Sequence, residues 1–255
     1  MTRLVLSEIR WEQRAFWRNR ATVLATFLFP MMFLIIFGFV FNDQKVDSRG
    51  GIPYLAFFVP GAIAFGVIAA TYINLANGIV ALREVGFLKR VRGTPLPGGA
   101  YLAARIGSSI ATTFVLAALS YAIGALILDV TMASSALVGF VVALTVGTFC
   151  FCALGLAVTI LVPNAESAAA LINVTLFPVM FISSIFFPLD SGPEWLRTVA
   201  KLFPIQHFGN ALQFAFHPST TGLGIRGADL LVMAAWGLGA VLLAAKYFRW
   251  DARPA

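Results

Sequence analysis

Charge is what this chain of 255 residues has least of: only 11% of its residues are Asp, Glu, Lys or Arg, against roughly 25% in an ordinary soluble domain. So little charge cannot keep a chain with 60% hydrophobic residues in water, which excludes a soluble enzyme, a disordered tail and a nucleic-acid-binding domain. Cysteine is almost absent. Cys150 and Cys152 lie inside an apolar run, too few and too close for a disulfide framework or a zinc site. Acids are sparse and scattered (Asp43, Asp47, Asp129, Glu166, Asp190, Glu194, Asp229). An intramembrane enzyme would need clustered acids or histidines to hold a metal or move protons. A proton-coupled transporter would need a buried acidic relay. No Gly-x-x-x-x-Gly-Lys-[Ser/Thr] loop is present, so the chain carries no such cradle for nucleotide phosphates.

What is there is length of apolar run. Mean hydropathy is +0.89, and about 20 apolar residues suffice to cross a hydrocarbon core of ~30 Å. Charge-free runs at 21–41, 50–82, 106–128, 130–165 (its useful part ending near Val162-Pro163), 167–189 and 230–245 are expected to be six spans. The first has a basic lead-in, but its apolar run is too long for a signal peptide and no small-residue cleavage site follows. It is expected to remain as a span. The stretch 202–225 is also free of charge, but holds Pro204, Gln206, His207, Asn210, Gln213 and His217. Polar groups left unsatisfied in hydrocarbon cost several kcal/mol each, so this stretch reads as re-entrant or interfacial.

The basic residues decide orientation. With six spans, one side collects Arg3, Arg10, Arg14, Arg18, Arg20, Arg83, Lys89, Arg90, Arg92, Arg105, Lys246, Arg249 and Arg253. The other side has Lys45, Arg49, Arg197, Lys201 and Arg226. That is thirteen against five of the chain's 18, so the first side, with both termini, is expected to be cytoplasmic. Seven spans would move the last three basic residues outside.

Three segments are more than spans or turns. In residues 1–20, Arg3, Ser7, Arg10, Arg14 and Arg18 share one helical stripe, Val5, Ile9 and Phe16 face the other way, and Trp11 and Trp17 flank it. This is the pattern of an amphipathic helix lying among lipid phosphates. In residues 83–105, Val85, Leu88 and Val91 repeat at helical spacing among Arg83, Lys89, Arg90 and Arg92, and Gly93 and Pro95 end the helix. Charge alone does not separate a docking element from a topogenic loop here. Residues 188–226 read as short helices separated by prolines, half-buried at the outer leaflet.

Two motifs carry a family resemblance. Arg83-Glu84-x-Gly86-x-Leu88 followed by Thr94-Pro95 resembles the cytoplasmic coupling element of the membrane subunit of type-2 ABC exporters. Phe187-Pro188-Leu189, then Pro193-x-Trp195-Leu196, then Phe203-Pro204-Ile205 with Phe208 resembles that family's external re-entrant hairpin. The family often has Asn-Pro where Phe203-Pro204 stands and Arg where Gln213 stands.

The resemblance implies an all-α integral membrane fold. It has six spans in one transmembrane domain over 1–255, an interfacial helix over 1–20, a coupling helix over 83–95 and an external hairpin over 188–226. It implies that Arg83, Glu84, Phe87, Leu88, Thr94 and Pro95 couple to a cytosolic ATPase present in two copies. That partner would hold ATP and Mg, and this chain no cofactor. It further implies a second permease, identical or paralogous, with the pathway between the two, in the lipids of a bacterial plasma membrane.

Polar and aromatic residues in the second and fifth spans are candidate pathway groups: Phe57, Phe58, Tyr72, Asn74, Asn173, Thr175, Phe177, Phe181 and Ser184, with Thr71, Asn77 and Ser183 beside them. Ser, Thr and Asn also hold helices together, for about 0.6 kcal/mol each. Aromatic groups suit a hydrophobic or amphiphilic cargo such as a drug or lipid-linked molecule. Export of polysaccharide or glycolipid, an energy-independent channel and an assembly subunit of a larger complex are the alternatives.

Overall fold

The structure is a computed structural model that describes residues 2–42, 44–46, 51–189, 192–217, 219–220 and 222–251. Asp43, Asp47, Arg49, Asp190 and Arg253, named above, lie outside the described residues. Helices dominate, and among the described residues six of them are long and apolar enough to cross a membrane: Arg20–Val40, Tyr54–Glu84, Gly98–Ile127, Ser134–Val158, Ala165–Ile182 and Gly227–Tyr247. They correspond one to one with the six charge-free runs.

Helix α1, Thr2–Arg18, precedes the first span and contains no fully buried residue. It lies against the third span. There Ile9 sits over Gly107, Glu12 pairs with Arg105 at 3.0 Å, and Gln13 Nε2 reaches Ser108 O at 2.7 Å. Asn19 breaks the chain between α1 and the first span, and its side chain accepts from Thr22 N at 3.2 Å. This cap satisfies one of the orphan donors of the new helix.

Between the first two spans, Lys45–Val46 and Ile52–Pro53 pair as a short antiparallel ribbon. The second span then runs through the centre of the bundle and is buried over most of its length. Its first half, Tyr54–Ile68, is apolar on every face, which is how a helix surrounded by other helices reads. Midway, Ala69–Ile73 form a π turn, an insertion often found at functional positions in helices. Gly155 of the fourth span lies against it. A Cβ there would stand 3.0–3.1 Å from the Tyr72 and Thr71 carbonyl oxygens, so any larger residue would press on the π turn.

The fourth and sixth spans pack side by side. After the fifth span come two short helices, α2, Glu194–Ala200, and α3, Pro204–Phe216. The polar stretch 202–225 is therefore mainly helix α3, not a seventh span. Its burial differs from the half-buried expectation. Ten of its thirteen residues are buried, because it packs against the second, fourth and sixth spans at once. It is an inner element at that end of the bundle. Trp195 of α2, by contrast, is exposed.

Candidate functional site

The end of the second span is the best-built polar site in the molecule. Arg83 is 3% exposed. Its Nη1 donates to Thr159 O at 3.0 Å and its Nη2 to Val162 O at 2.5 Å. These carbonyls belong to the unwinding end of the fourth span, where a helix leaves acceptors without intrahelical partners. Glu84 next to it accepts from Ala165 N at 2.5 Å, at the start of the fifth span, where a negative charge is favoured. Adjacent residues of opposite charge thus fasten one helix end and one helix start. Asn164 completes the cap by accepting from Ser167 N at 2.9 Å.

Arg83 and Glu84 therefore close the second span rather than open the next helix. Gly86 takes φ +70°, a left-handed conformation that suits glycine best, and the chain restarts as the loop helix Phe87–Arg92. Val85 falls off the predicted apolar ridge for this reason and is 68% exposed. Leu88 and Val91 stay on the ridge. They are buried in a cluster with Leu75, Ile79, Tyr101 and Leu156. The opposite side of the loop helix presents Phe87, Lys89, Arg90 and Arg92 to the outside, and Thr94 and Pro95 follow in the exposed turn. Thr94 Oγ1 donates to Val91 O at 2.7 Å, which closes the helix.

The pathway candidates divide into three groups. Phe57 and Phe58 are each 1% exposed and belong to the protomer core. Ser184 is also buried: its N–H donates to Gln206 Oε1 at 2.7 Å, its Oγ accepts from Gln206 Nε2 at 2.9 Å, and its carbonyl accepts from Gln213 Nε2 at 2.6 Å. It anchors α3. Tyr72 and Thr175 meet at 2.8 Å across the second and fifth spans. Thr175 has one proton and donates it to the Leu171 and Ile172 carbonyls, so Tyr72 is the donor of the pair. They border a cavity of about 150 Å³ shared with Phe151, Phe203 and Trp236. Asn74, Phe177 and Phe181 form the third group, on outward faces, with Asn173 partly covered. Asn74 Nδ2 donates to Thr26 Oγ1 of the first span at 3.2 Å.

Aromatic rings connect the first span to the fifth. Phe33 lies 5.4 Å from both Phe65 and Phe186, Phe186 lies 6.3 Å from Phe181, and Phe181 lies 6.4 Å from Phe177. The outward faces of both spans are apolar and uncovered in the protomer, with Phe29, Ile36 and Phe39 on one and Val174 and Phe181 on the other.

Sequence reasoning assigned no role to the polar residues of α3, which the structure uses as bolts. Besides Gln206 and Gln213, His207 Nδ1 lies 2.6 Å from Asp229 Oδ1 and its Nε2 lies 2.8 Å from Lys201 O. Arg226 Nε approaches Asp229 Oδ2 at 2.7 Å. The hydrogen bond to Asp229 raises the His207 pKa against the opposing effect of burial. The signal was the density of polar side chains in a charge-free stretch. Ser184 and Asp229 sit 22 to 29 residues from the side chains they bond, which no local pattern reveals.

Six apolar helices among the described residues, the second of them central, with α1 beside them, define a multi-pass helical membrane protein. The chain belongs to the ABC-2 type transporter family, which matches residues 4–217. It is similar to the putative transport permease YvfS of Bacillus subtilis, 26% identical over 78% of this chain and 80% of that one. The inner membrane transport permease YadH of Escherichia coli is 23% identical over 85% of this chain and 80% of its own. The daunorubicin resistance ABC transporter permease protein DrrB1 of Streptomyces coeruleorubidus is 26% identical over 84% of this chain and 74% of its own. The chain is thus an ABC transporter membrane subunit, and its relatives carry the names of permeases rather than of enzymes.

Proposed function

We propose that this chain is the permease half of an ATP-driven exporter of hydrophobic or amphiphilic molecules. A separate ATPase, in two copies with ATP and Mg, powers it from the cytosolic side. The observation that carries this reading is the loop helix Phe87–Arg92. Its inner face is seated on Leu88 and Val91, and its outer face offers Phe87 and three basic side chains. The residues just before it are clamped to the fourth and fifth spans through Arg83 and Glu84. A push on the loop helix would therefore reach three spans rather than dissipate in a loose loop.

A second permease, identical or paralogous, would cover the apolar faces of the first and fifth spans. The pathway would then run along Phe177, Phe181 and Asn173, with Tyr72 and Thr175 behind them. An aromatic, uncharged surface favours an amphiphile, and a relative named for daunorubicin resistance supports that cargo class. Alternating access would follow from tilting of these spans as the ATPases close. The termini and the loop helix face the cytoplasm of a bacterial cell by the distribution of basic residues.

The test is purification of the tagged chain from its native membrane, with assay of any ATPase that accompanies it. A stoichiometric ATPase should be retained by the wild type and lost on Lys89→Glu/Arg90→Glu substitution, with membrane insertion unchanged. Equal retention by both would refute the coupling role. A chain that conducts alone, without any ATPase, would identify a channel.

A further inference from the structure

A polar cavity of the protein lies away from the outward apolar faces of the first and fifth spans. It is a groove of about 540 Å³ between α1 and the first three spans, within the range of small-molecule sites. Its lining is divided. Thr22 and Thr26 of the first span, Asn74 of the second and Ser109 of the third give it uncharged hydrogen-bonding groups, whereas Phe16, Leu75 and Phe87 give it apolar walls. Helices that turned these faces only to lipid would gain nothing from such groups. An amide offers four hydrogen-bonding positions, and Asn74 uses one of them on Thr26.

Among the described residues, the ionised side chains on the groove are Glu12 and Arg105, which neutralise one another at 3.0 Å. A charged head would have to break that pair or sit beside an opposing charge. α1 is a fixed wall, held by Gln13 to Ser108 and Thr112 at 2.7–3.0 Å. The floor is open at Gly78, where an added Cβ would meet nothing nearer than Arg105 Nη2 at 3.9 Å.

We infer that this groove binds an amphiphile with a neutral, hydroxyl-bearing head and an apolar tail, on the side of the bilayer that bears the loop helix. The head bonds to Thr22, Thr26 and Asn74, and the tail lies against Phe16, Leu75 and Phe87. Phe87 belongs to both the groove and the loop helix, so occupancy is felt where the ATPase would dock. The inference deepens the exporter reading, on which its connection to the ATPase rests, but the binding site itself does not depend on it. Two sources share this chemistry: transported cargo and a resident bilayer lipid.

The experiment uses the full chain carrying Gly78→Cys in phosphatidylcholine nanodiscs without any ATPase. Cys150 and Cys152 are buried, so a water-soluble maleimide reads the new thiol. Ala81→Cys, at an exposed groove position, is a second reporter should the first fail to insert. The probes are monodecanoylglycerol, decanoate and decyltrimethylammonium.

Monodecanoylglycerol at roughly ten times its Kd should slow labelling about tenfold, with the two charged probes leaving the rate unchanged. The protection should vanish with Asn74→Leu/Thr22→Val. Equal protection by all three probes, or protection by none at both reporter positions, would overturn the proposal. Stimulation of the partnered ATPase by monodecanoylglycerol would mark the site as cargo-binding, and protection without stimulation would mark a lipid site. Loss of the ATPase itself would refute the exporter reading and leave the labelling result standing.

Discussion

Replacing Arg83 by Met removes a guanidinium from a site where nothing else can take its place. The side chain is 3% exposed and donates to Thr159 O and Val162 O. Hydrogen bonds from a charged donor contribute about 1.5–3 kcal/mol each, and a buried carbonyl left without its donor costs about 1–3 kcal/mol. Met keeps the length and the apolar stem, so the loss falls on the polar contacts of the guanidinium, these two bonds among them. The loop between the fourth and fifth spans would open locally more often, rather than the whole bundle unfolding.

A loss of about 3 kcal/mol corresponds to roughly a hundredfold increase in the open population. Hydrogen–deuterium exchange in nanodiscs reads this directly at the amides of residues 159–167. Arg83→Lys should fall between, because an ammonium cannot reproduce the planar fork. Glu84→Gln should speed exchange mainly at Ala165, by about fivefold for the weaker neutral bond. Unchanged exchange over 159–167 in Arg83→Met would refute the clamp, and with it the argument that the loop helix is tied to three spans.

The other elements make independent predictions. His207 has a folded pKa above its ordinary 6.5, so its pairing with Asp229 stabilises fully below about pH 6.5 and the contribution is lost as pH rises through the folded value. The apparent Tm of the wild type should fall over that rise, and Asp229→Asn should flatten the profile. Gln206→Leu leaves the Ser184 amide buried without its acceptor, at a cost of about 1–3 kcal/mol, seen as a lower Tm at any pH. Gly155→Ala forces a methyl against the Thr71 and Tyr72 carbonyls and should cost about 1–3 kcal/mol, measurable in the same thermal assay.

The spans were legible because charge-free runs longer than the bilayer have few alternatives, and here the basic residues mark the ends of the runs. The loop helix was legible in part. Leu88 and Val91 follow helical spacing onto a buried face, but Val85 does not, because Gly86 at φ +70° resets the helical phase. Phe57 and Phe58 were drawn into the pathway by their type. Their burial follows from the central position of the second span, which sequence period cannot show when every face of a helix is apolar. The π turn at Ala69–Ile73 lies against Gly155 of another span, a contact that no local pattern shows. The burial of α3 was hidden for a related reason. Its amides and imidazole look costly in hydrocarbon until Ser184 and Asp229 are seen to bond them.

In the proposed transporter the loop helix is the place where a motor protein takes hold. A photo-crosslinking amino acid placed at Val85, 68% exposed, and in a second variant at Leu126, 83% exposed near the far end of the third span, measures this in native membranes. A crosslink is expected from position 85 to a soluble ATPase, and none from position 126. An ATPase captured equally from both positions, or from neither, would contradict it.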